Sequence, residues 1–485
     1  MTRDHRLLHR RVAMAALAAC CGTAQAFTFE AGDVRGNFDS TLTLSAGMRL
    51  KNPSCSLVGD LTYCDAADVF RWGSGDDGNL NYRRHDIFTT YLKGNHELLL
   101  NFPDNWKFLG RVNWLYDFKA DDTARTPLSS EAEGEVVRDV RLLDLWVGKT
   151  MQMADGRRAN VRLGNQFLNW GESLFLPGGI NSTNAIDIQR LSQPGVQIKE
   201  AFLPAPMINA SAALGNGVSA EAYYQFHWNR TKFPPVGGYW SVVDLYDKGR
   251  QPIYLGPDPA SAAAMGEPEF PSIGWAPDVK PRNSGQWGVA LRWEPKGTSA
   301  NFGLYALNYH DKTPNLQFIN GQSEAQWTFL EDRKLFGASV SFPVGNWAIG
   351  AELSYRPKDA IALSGCYDPA MAGDNVAGLA PAAACNQYVD GKRWQMHVTG
   401  LLSLTPGDHG ALLKLLGADT ATLLAEAVVI RYPDLKSVYY RNAPDGTPVA
   451  QLPAAGLWGW SDDGGATVYG AGTRTSWGFN FDFRS

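Results

Sequence analysis

Residues 106–118 read WKFLGRVNWLYDF and decide the fold. One set of alternate positions holds the apolar side chains Trp106, Phe108, Val112, Trp114, Tyr116 and Phe118, and the other holds Lys107, Arg111, Asn113 and Asp117. A period of two separates these sets onto the opposite faces of a β-strand, whereas a helix would mix them. The segment is also much longer than the about five or six residues usual for a strand in a soluble protein.

The same alternation recurs along the chain, for example from Leu42 to Leu50 and from Val218 to Trp228. It predicts about 14 strands, an even number such as bacterial outer-membrane barrels have. Their ranges are 37–51, 87–102, 106–118, 138–153, 157–170, 207–214, 218–230, 285–294, 300–311, 329–342, 346–356, 391–405, 419–431 and 475–483.

Short and long connections alternate between these strands. The short ones contain residues that suit tight turns, such as Pro103-Asp104-Asn105 and Gly215-Asn216-Gly217. The connection at 406–418 is somewhat longer and is expected to hold a helical turn. Long loops at one end and short turns at the other are typical of a transmembrane antiparallel β-barrel, which closes because hydrocarbon offers no hydrogen-bond partners. The sequence therefore predicts an all-β transmembrane barrel.

Composition is consistent with this prediction and excludes other classes. The chain has 485 residues, of which 44% are hydrophobic, 19% charged and 12% aromatic, with a net charge of −5. These values exclude disorder, collagen and small disulfide-stapled scaffolds, and the acidic balance argues against a nucleic-acid partner. A soluble propeller or β-helix is the alternative, but it requires a repeat of fixed period, which the sequence does not show.

Residues 1–26 are predicted to be a signal peptide and residues 27–485 the barrel. Four arginines up to Arg11 precede a short apolar core, and Ala24-Gln25-Ala26 provides the small residues of a cleavage site. A lipoprotein signal is the alternative, because Leu17-Ala18-Ala19-Cys20 ends in a cysteine that could carry lipid. After the signal, no run of about 18 apolar residues predicts a membrane-spanning helix. We expect export to the outer membrane, with its lipid bilayer as a partner.

Four cysteines of the mature chain fall in two long loops, as local pairs. Cys55 lies near Cys64, and Cys366 near Cys385. Export into an oxidising compartment favours two loop-closing disulfides over free thiols or a metal site, since no Cys-x-x-Cys spacing is present.

Motifs for catalysis, cofactors and metals are weak, so we expect no enzyme, cofactor or metal site. The segment 215–220 matches a relaxed dinucleotide fingerprint, but a strand follows where a helix is required. His96-Glu97 lacks the second histidine of a zinc protease, and no Gly-x-Ser-x-Gly elbow occurs. The acidic segments 76–79 and 462–464 could hold Ca²⁺ but are interpreted as solvated loops.

The polar faces of the strands are candidates for the lining of a lumen, where they would tune selectivity or pair with one another. The residues chosen on this basis are Arg111, Asn113, Arg162, Gln166, Glu221, His227, Glu352 and Arg356. Both signs of charge occur, so the sequence indicates no strong preference for anions or cations.

The connection at 181–207 is unusually apolar for an exposed loop. It contains Ile186, Ile188, Leu191, Val196 and Phe202. Exposed apolar patches of this size are uncommon, so we expect the segment to fold into the barrel as a gate, constriction or plug.

Several segments resemble a family of Gram-negative bacteria, the domain of unknown function (DUF) 1302 family. They include the stretch 29–44, Asp77-Gly78-Asn79-Leu80-Asn81-Tyr82, Arg162-Leu163-Gly164-Asn165-Gln166, Trp170-Gly171-Glu172-Ser173, Lys199-Glu200-Ala201-Phe202-Leu203-Pro204 and the stretch 415–426. Together they run from the signal to about residue 435.

The resemblance implies an outer-membrane barrel. Members are often encoded near a periplasmic companion and an inner-membrane exporter of the resistance-nodulation-division type, so both are expected partners. The resemblance implies no catalytic residues. Members usually continue further and end in a strand with a terminal aromatic, whereas this chain stops at Arg484-Ser485. Either the barrel closes with the strands seen, or the chain is C-terminally truncated.

The transporters encoded near members of this family imply a hydrophobic or lipid-like cargo, so the function that the resemblance implies is a channel or transporter for small molecules of that kind. The alternatives are a general polar porin, a surface structural or adhesive barrel without transport, and, last, an outer-membrane enzyme.

Overall fold

Fifteen strands form the main sheet of the structure, a computed structural model, and each pairs antiparallel with the next along the chain. They are β1 (Gly22–Ala31), β2 (Val34–Met48), β3 (Ile87–Asn101), β4 (Trp106–Asp117), β5 (Arg138–Gln152), β6 (Arg158–Gln166), β7 (Ala205–Gly215), β8 (Val218–Gln225), β9 (Gln286–Trp293), β10 (Asn301–Tyr309), β11 (Arg333–Val344), β12 (Trp347–Ala362), β13 (Tyr388–Leu404), β14 (Ala421–Arg431) and β15 (Thr475–Arg484).

The structure describes residues 22–53, 58, 76–254, 258–259, 262–263, 266–319, 323–363, 385–386, 388–437, 439–442, 448–451, 461–463, 466–468 and 473–484. Within these ranges, no helix is both long and apolar enough to cross a bilayer.

Smaller elements lie in the connections. Short strands are Ala185–Ile186, Phe202–Leu203, Ile253–Tyr254, Ser272–Trp275, Asn315–Ile319, Glu324–Thr328, Cys385–Asn386, Tyr439–Asn442, Pro448–Gln451, Ser461–Asp463 and Ala466–Val468. The α-helices are α1 (Asp77–Leu80), α2 (Ser130–Val136), α3 (Ile188–Ser192), α4 (Ile198–Ala201) and α5 (Pro406–Leu416), and 3₁₀ turns lie at Pro103–Asn105, Ala154–Gly156 and Ile180–Thr183. The helical turn expected at 406–418 is therefore present as α5.

All fourteen predicted strand ranges contain a strand of the main sheet, and β1 is an addition before them. Phe27 of β1 pairs with Phe38 of β2. Because β1 begins inside the predicted signal peptide, cleavage after Ala26 would leave only its last five residues, Phe27–Ala31. The cleavage itself stays a prediction.

The expected closure of the sheet into a barrel is not present in the strand pairing. In the described part of the chain, β1 and β15 are the two edges of the sheet. The fold is thus an all-β, open antiparallel sheet, and closure is part of the functional proposal below.

Tight turns join the strands at one end of the sheet, as predicted. Asp104 and Asn105 have φ values of 56° and 60°, Asp155 has 66°, and Asn216 has 51°. These left-handed conformations are ones that asparagine, aspartate and glycine adopt more readily than other residues, which explains why such residues occupy these turns.

Burial along the strands is the inverse of that in a soluble protein. On β10, Leu304 is 61% exposed while the adjacent Tyr305 is 6% exposed. Apolar residues such as Val289, Phe336 and Trp477 are exposed on one face, whereas polar residues of the other face, such as Lys93, are buried. The buried face is covered by the connection between β6 and β7, described next.

Candidate functional site

The connection from β6 to β7, residues 167–204, is here called the inner loop. It contacts β3 through Glu200 and β12 through Ser182, strands that lie far apart in the sheet order. The sheet therefore curls around the inner loop. The predicted gate at 181–207 is the second half of this loop together with the first residues of β7.

Glu352 on β12 holds the first half of the inner loop by its backbone. One carboxylate oxygen accepts hydrogen bonds from the amides of Glu172 (2.6 Å) and Ser173 (3.3 Å), and the other accepts from Ile180 (2.9 Å). Gly171 and Gly179 allow this approach, because a Cβ atom would lie 2.2 Å and 1.9 Å, respectively, from the carboxylate oxygens.

Glu426 on β14 binds the next stretch of backbone in the same way. It accepts hydrogen bonds from the amides of Leu174 (3.2 Å), Phe175 (2.6 Å) and Leu176 (2.9 Å). Its Oε1 also lies 2.7 Å from Nδ1 of His397 on β13. A carboxylate that accepts several backbone amides makes charge-assisted hydrogen bonds, which are the stronger class.

Arg356 supplies the matching donor on β12. Its guanidinium donates to the carbonyl oxygens of Gly178 and Gly179, to Oγ of Ser182 (2.5 Å) and to the hydroxyl of Tyr309 (2.9 Å). Carboxylates thus hold the amides of the loop, and an arginine holds its carbonyls.

The second half of the inner loop is held by buried ion pairs on the opposite wall. Glu200 accepts from Nζ of Lys93 on β3 (2.6 Å) and, more weakly, from Asn113 on β4 (3.4 Å). Asp187 pairs with Arg141 on β5. Arg190 pairs with Asp139 on β5 at 2.8 Å.

Apolar side chains seal the loop against the wall between these two anchors. Leu168, Trp170 and Ile180 of the loop are buried with inward-facing residues of the sheet, namely Ala205, Met207, Tyr223, Ala290, Tyr305, Leu307, Tyr309 and Leu335. The ring of Trp170 lies edge-on to that of Tyr223, with centroids 5.2 Å apart. The interior is therefore apolar where loop and sheet meet and polar at the anchors.

A polar cavity of about 520 Å³ lies near the tight turns and is lined by residues of the strands, not of the inner loop. Its wall includes Arg162 and Glu221. Asn209 bridges the two, because its amide donates to Glu221 (2.8 Å) and its carbonyl accepts from Arg162 (3.3 Å).

The eight predicted lining residues fall into three groups and one outlier. Glu352 and Arg356 hold the first half of the inner loop. Arg111, Asn113 and Gln166 are buried next to the start and the second half of the inner loop. Arg111 also pairs with Asp144. Arg162 and Glu221 line the polar cavity. His227 lies beyond the end of β8, is exposed and joins none of these groups.

The five apolar residues proposed for the gate are less buried than their polar neighbours. Ile186, Ile188, Val196 and Phe202 are half-buried, and Leu191 is exposed. Asp187, Arg190 and Glu200 are buried instead. Polar anchors, which the sequence did not single out, thus hold the loop in place.

Glu426 and His397 were also missed by the sequence analysis. Glu426 lies in an otherwise apolar strand, so a single acid within an apolar run was the available signal. Cys55, Cys64 and Cys366 lie outside the described residues, as does the side chain of Cys385, so both disulfides stay predictions. In the part of the chain that the structure describes, no three His, Cys, Asp or Glu residues are grouped as metal ligands would be.

Three solved structures illustrate the kind of protein that the chain is similar to. OmpT, an outer membrane protein of Vibrio cholerae, is 8% identical, with 88% of this chain and 82% of that chain covered and a TM-score of 0.35. The outer membrane channel DcaP of Acinetobacter baumannii is 11% identical, with 89% and 95% covered and a TM-score of 0.29. An anion-selective porin from Comamonas acidovorans is 10% identical, with 89% and 97% covered and a TM-score of 0.29. These values are too low to transfer a function.

The comparison with curated proteins gives no match. The family model described as "Protein of unknown function (DUF1302)" matches residues 7–485. Because this match spans nearly the whole chain, the protein belongs to the DUF1302 family, as its sequence motifs predicted.

Proposed function

We propose that this protein is an outer-membrane β-barrel channel for small molecules, with the inner loop as its constriction. The observation that carries the proposal is the inverted burial of the strands, with leucine, valine and aromatic side chains exposed on one face and charged side chains buried on the other. In water, a continuous apolar surface of this kind would aggregate, whereas in a bilayer it is the stable arrangement.

Closure of the sheet is part of the proposal. The edge strands β1 and β15 carry unpaired backbone groups, and hydrocarbon offers no partners for them. Pairing of the two edges, directly or through further strands, would remove this cost. The tight turns would then face the periplasm and the long connections the outside, as in other outer-membrane barrels.

The inner loop would narrow the channel because it crosses the space inside the curled sheet. It is anchored on β3, β4 and β5 at one side and on β12, β13 and β14 at the other, with Gln395 of β13 donating to the carbonyl of Pro177. A loop held at both ends by buried charges resists displacement, since removing one partner leaves a buried charge unpaired.

The cargo is the narrower part of the proposal. Charged residues around the inner loop and in the polar cavity favour small polar solutes, because a polar lining replaces their hydration. A hydrophobic or lipid-like cargo, the expectation from the sequence, is the second candidate. The apolar cluster around Trp170 and Ile180 favours it, if the loop moves and exposes that cluster.

Conductance across planar bilayers tests the channel. The variant to compare replaces Ile188–Glu200 by two glycines, because the amide of Asp187 already donates to the carbonyl of Ala201 at 2.7 Å and the cut ends lie side by side. We expect small steps from the unaltered protein and larger steps from the variant. Silence from both folded proteins would contradict the channel and favour a surface structural or adhesive barrel.

A second measurement separates the cargo classes. Vesicles that contain the protein should swell in small sugars if the cargo is polar. They should instead exchange a hydrophobic dye across the bilayer faster than empty vesicles if the cargo is lipid-like. Interaction with a periplasmic companion and an inner-membrane exporter stays a prediction of the family resemblance.

A further inference from the structure

The polar cavity near the tight turns has an unbalanced charge. Its wall is built from neighbouring strands β4 to β9. The cations Lys107, Arg158, Arg162 and Arg292 contribute to it, whereas Glu221 is its single carboxylate. Lys149 borders the cavity too, but its ammonium lies over the ring of Trp106 on the exposed face, 4.7 Å from the ring centre. Like charges on a concave wall repel one another and attract an anion from solution.

Glu221 neutralises one of these cations and leaves the others. Its Oε2 lies 2.6 Å from Nη1 of Arg292, and its Oε1 accepts from Asn209. Within the described residues, Lys107, Arg158 and Arg162 have no carboxylate within 4.0 Å. The guanidinium of Arg162 instead lies 5.4 Å from the ring centre of Trp146.

The strand register brings two of these cations to the same level. Gly148 of β5 pairs with Lys107 of β4 on one side and with Arg162 of β6 on the other. Two strand spacings separate the backbones of the two cations, about 10 Å. Long side chains can converge over this distance, and the glycine between them adds no side chain of its own.

Gly148 could not easily be replaced. A Cβ atom at this position would lie 3.0 Å from Cγ of Arg162 and 3.2 Å from the Trp146 ring. The glycine thus keeps the space between Lys107 and Arg162 open on the inner face of the sheet.

We propose that this cavity binds the oxyanion group, a phosphate or a carboxylate, of a small solute. Arginine and lysine donors on a partly enclosed wall are the chemistry that recognises such groups. A volume of about 520 Å³ holds a small organic anion. The inference deepens the proposed channel, in which the site would select anions on the periplasmic side of the inner loop.

Two nearly isosteric substitutions test it in opposite directions. Asn160→Asp adds a carboxylate to the cavity and keeps the oxygen that accepts from Thr150 (2.6 Å). Glu221→Gln removes the only carboxylate and keeps an oxygen for Arg292. Lys334→Gln is the control. It changes the net charge by −1, as Asn160→Asp does, but Lys334 lies on β11, on the face of exposed Phe336 and away from the cavity.

Calorimetry on the folded protein in neutral detergent measures binding without requiring conduction. The probes are inorganic phosphate, hexanoate, and the short-chain lipid dihexanoyl phosphatidylglycerol. We expect Asn160→Asp to raise the Kd of the bound oxyanion about fivefold and Glu221→Gln to lower it about as much. Lys334→Gln should leave the Kd unchanged.

The probes also separate the sources of the anion. Binding of phosphate or hexanoate identifies a free solute, and binding of the lipid alone identifies a headgroup; both support the site. No binding of any probe, or the same Kd in all variants, overturns the inference. A silent channel that still binds phosphate would contradict the proposed function alone, and a conducting channel without binding would contradict this site alone.

Discussion

His397 and Glu426 lie on neighbouring strands with Nδ1 2.7 Å from Oε1, and neither side chain is exposed. The same carboxylate accepts three backbone amides of the inner loop, from Leu174 to Leu176. A contact inside the wall of the sheet is thereby coupled to the position of the loop. Any change to this carboxylate should be detected as a change in the loop.

The substitution Glu426→Gln should loosen the first half of the inner loop. One carboxylate oxygen becomes an amide NH2 group, which is a donor and cannot accept from the backbone N–H groups, and each lost bond to a charged acceptor costs about 1.5–3 kcal/mol. We expect larger or noisier single-channel currents and faster hydrogen exchange at residues 172–180. Glu294→Gln, at an exposed turn, is the control. Unchanged currents and exchange would show that Glu426 does not hold the loop.

Lys93 and Glu200 form a buried ion pair, so the effect on stability of substituting one of them should depend on whether the other is present. Nζ lies 2.6 Å from Oε2, and the side chains are 1% and 2% exposed. Glu200→Gln leaves the lysine buried without a carboxylate, so we expect the free energy of unfolding to fall by about 3–5 kcal/mol. The double variant Lys93→Met with Glu200→Leu should recover most of the loss.

Urea unfolding in detergent measures these changes. The control is Lys199→Gln, because the Lys199–Glu97 pair is longer, 3.8 Å, and partly exposed. It should change the free energy of unfolding by less than about 1 kcal/mol. If the stability losses from substituting Lys93 alone and Glu200 alone simply added up in the double variant, the two residues would not depend on each other.

Local patterns were enough to predict the strands of the sheet. The alternation at 106–118 predicted β4, and turn residues such as Asp104 and Asn216 marked where strands end. β1 was missed because its first half, residues 22–26, was assigned to the signal peptide, which leaves too short a segment to show the alternation. The inner loop was found through its apolar content, since an apolar loop is expected to be covered.

Long-range contacts were beyond the same patterns. The amide of Phe175 and the carboxylate of Glu426 are 251 residues apart in sequence, and they meet only because the sheet curls. The partner of a polar residue on a strand depends on that curvature and on the course of the loop. The buried ion pairs of Lys93, Asp187 and Glu200 were therefore not predicted.

Asn81 should hold together three of the long connections between the strands. It is buried, donates to the carbonyls of Thr126 (3.0 Å) and Gly237 (3.0 Å), and accepts from the amides of Arg125 (3.2 Å) and Thr126 (2.7 Å). Asn81→Ala leaves these groups unsatisfied, so we expect the local stability of the loops to fall by about 3 kcal/mol. Faster proteolysis of the long loops, without loss of sheet structure by circular dichroism, is the expected result.

The exposed loop residue Asn52 provides the comparison for Asn81. Among the described residues, its side chain makes one hydrogen bond, accepting from the amide of Arg84 at 3.2 Å. Asn52→Ala should leave the rate of proteolysis nearly unchanged. Equal rates for the two alanine variants would mean that Asn81 does not connect the loops.

Asp76 should make the packing of these loops dependent on pH. Burial raises the pKa of its carboxyl from 3.8 to about 6, against the opposing effect of hydrogen bonds from Asn79. The folded loop therefore holds the proton more tightly than the unfolded one. Its contribution to stability is fully present below pH 3.8 and is lost as the pH rises to about 6, by about 3 kcal/mol in all.

Hydrogen exchange of α1 measured from pH 4 to 8 tests this dependence. Protection should decrease between these limits in the unaltered protein, and Asp76→Asn should remove much of the decrease, since asparagine can still accept from the amide of Asn79. Asp121→Asn, an exposed loop aspartate, is the control. A pH profile that Asp76→Asn leaves unchanged would assign the dependence to other groups, such as Asp244, whose pKa is also raised by burial.

Leu304 tests whether the exposed face of the sheet meets lipid. In a membrane barrel, Leu304→Arg places a charge in hydrocarbon and should reduce the free energy of folding into bilayers by about 2–4 kcal/mol. In a soluble sheet the same substitution on an exposed residue would be neutral or would increase solubility. Ser299→Arg, in the tight turn before β10, adds the same charge outside the proposed hydrocarbon layer. Because the two positions are only a few residues apart, a cost at Leu304 without a cost at Ser299 would arise from depth in the bilayer and not from charge alone.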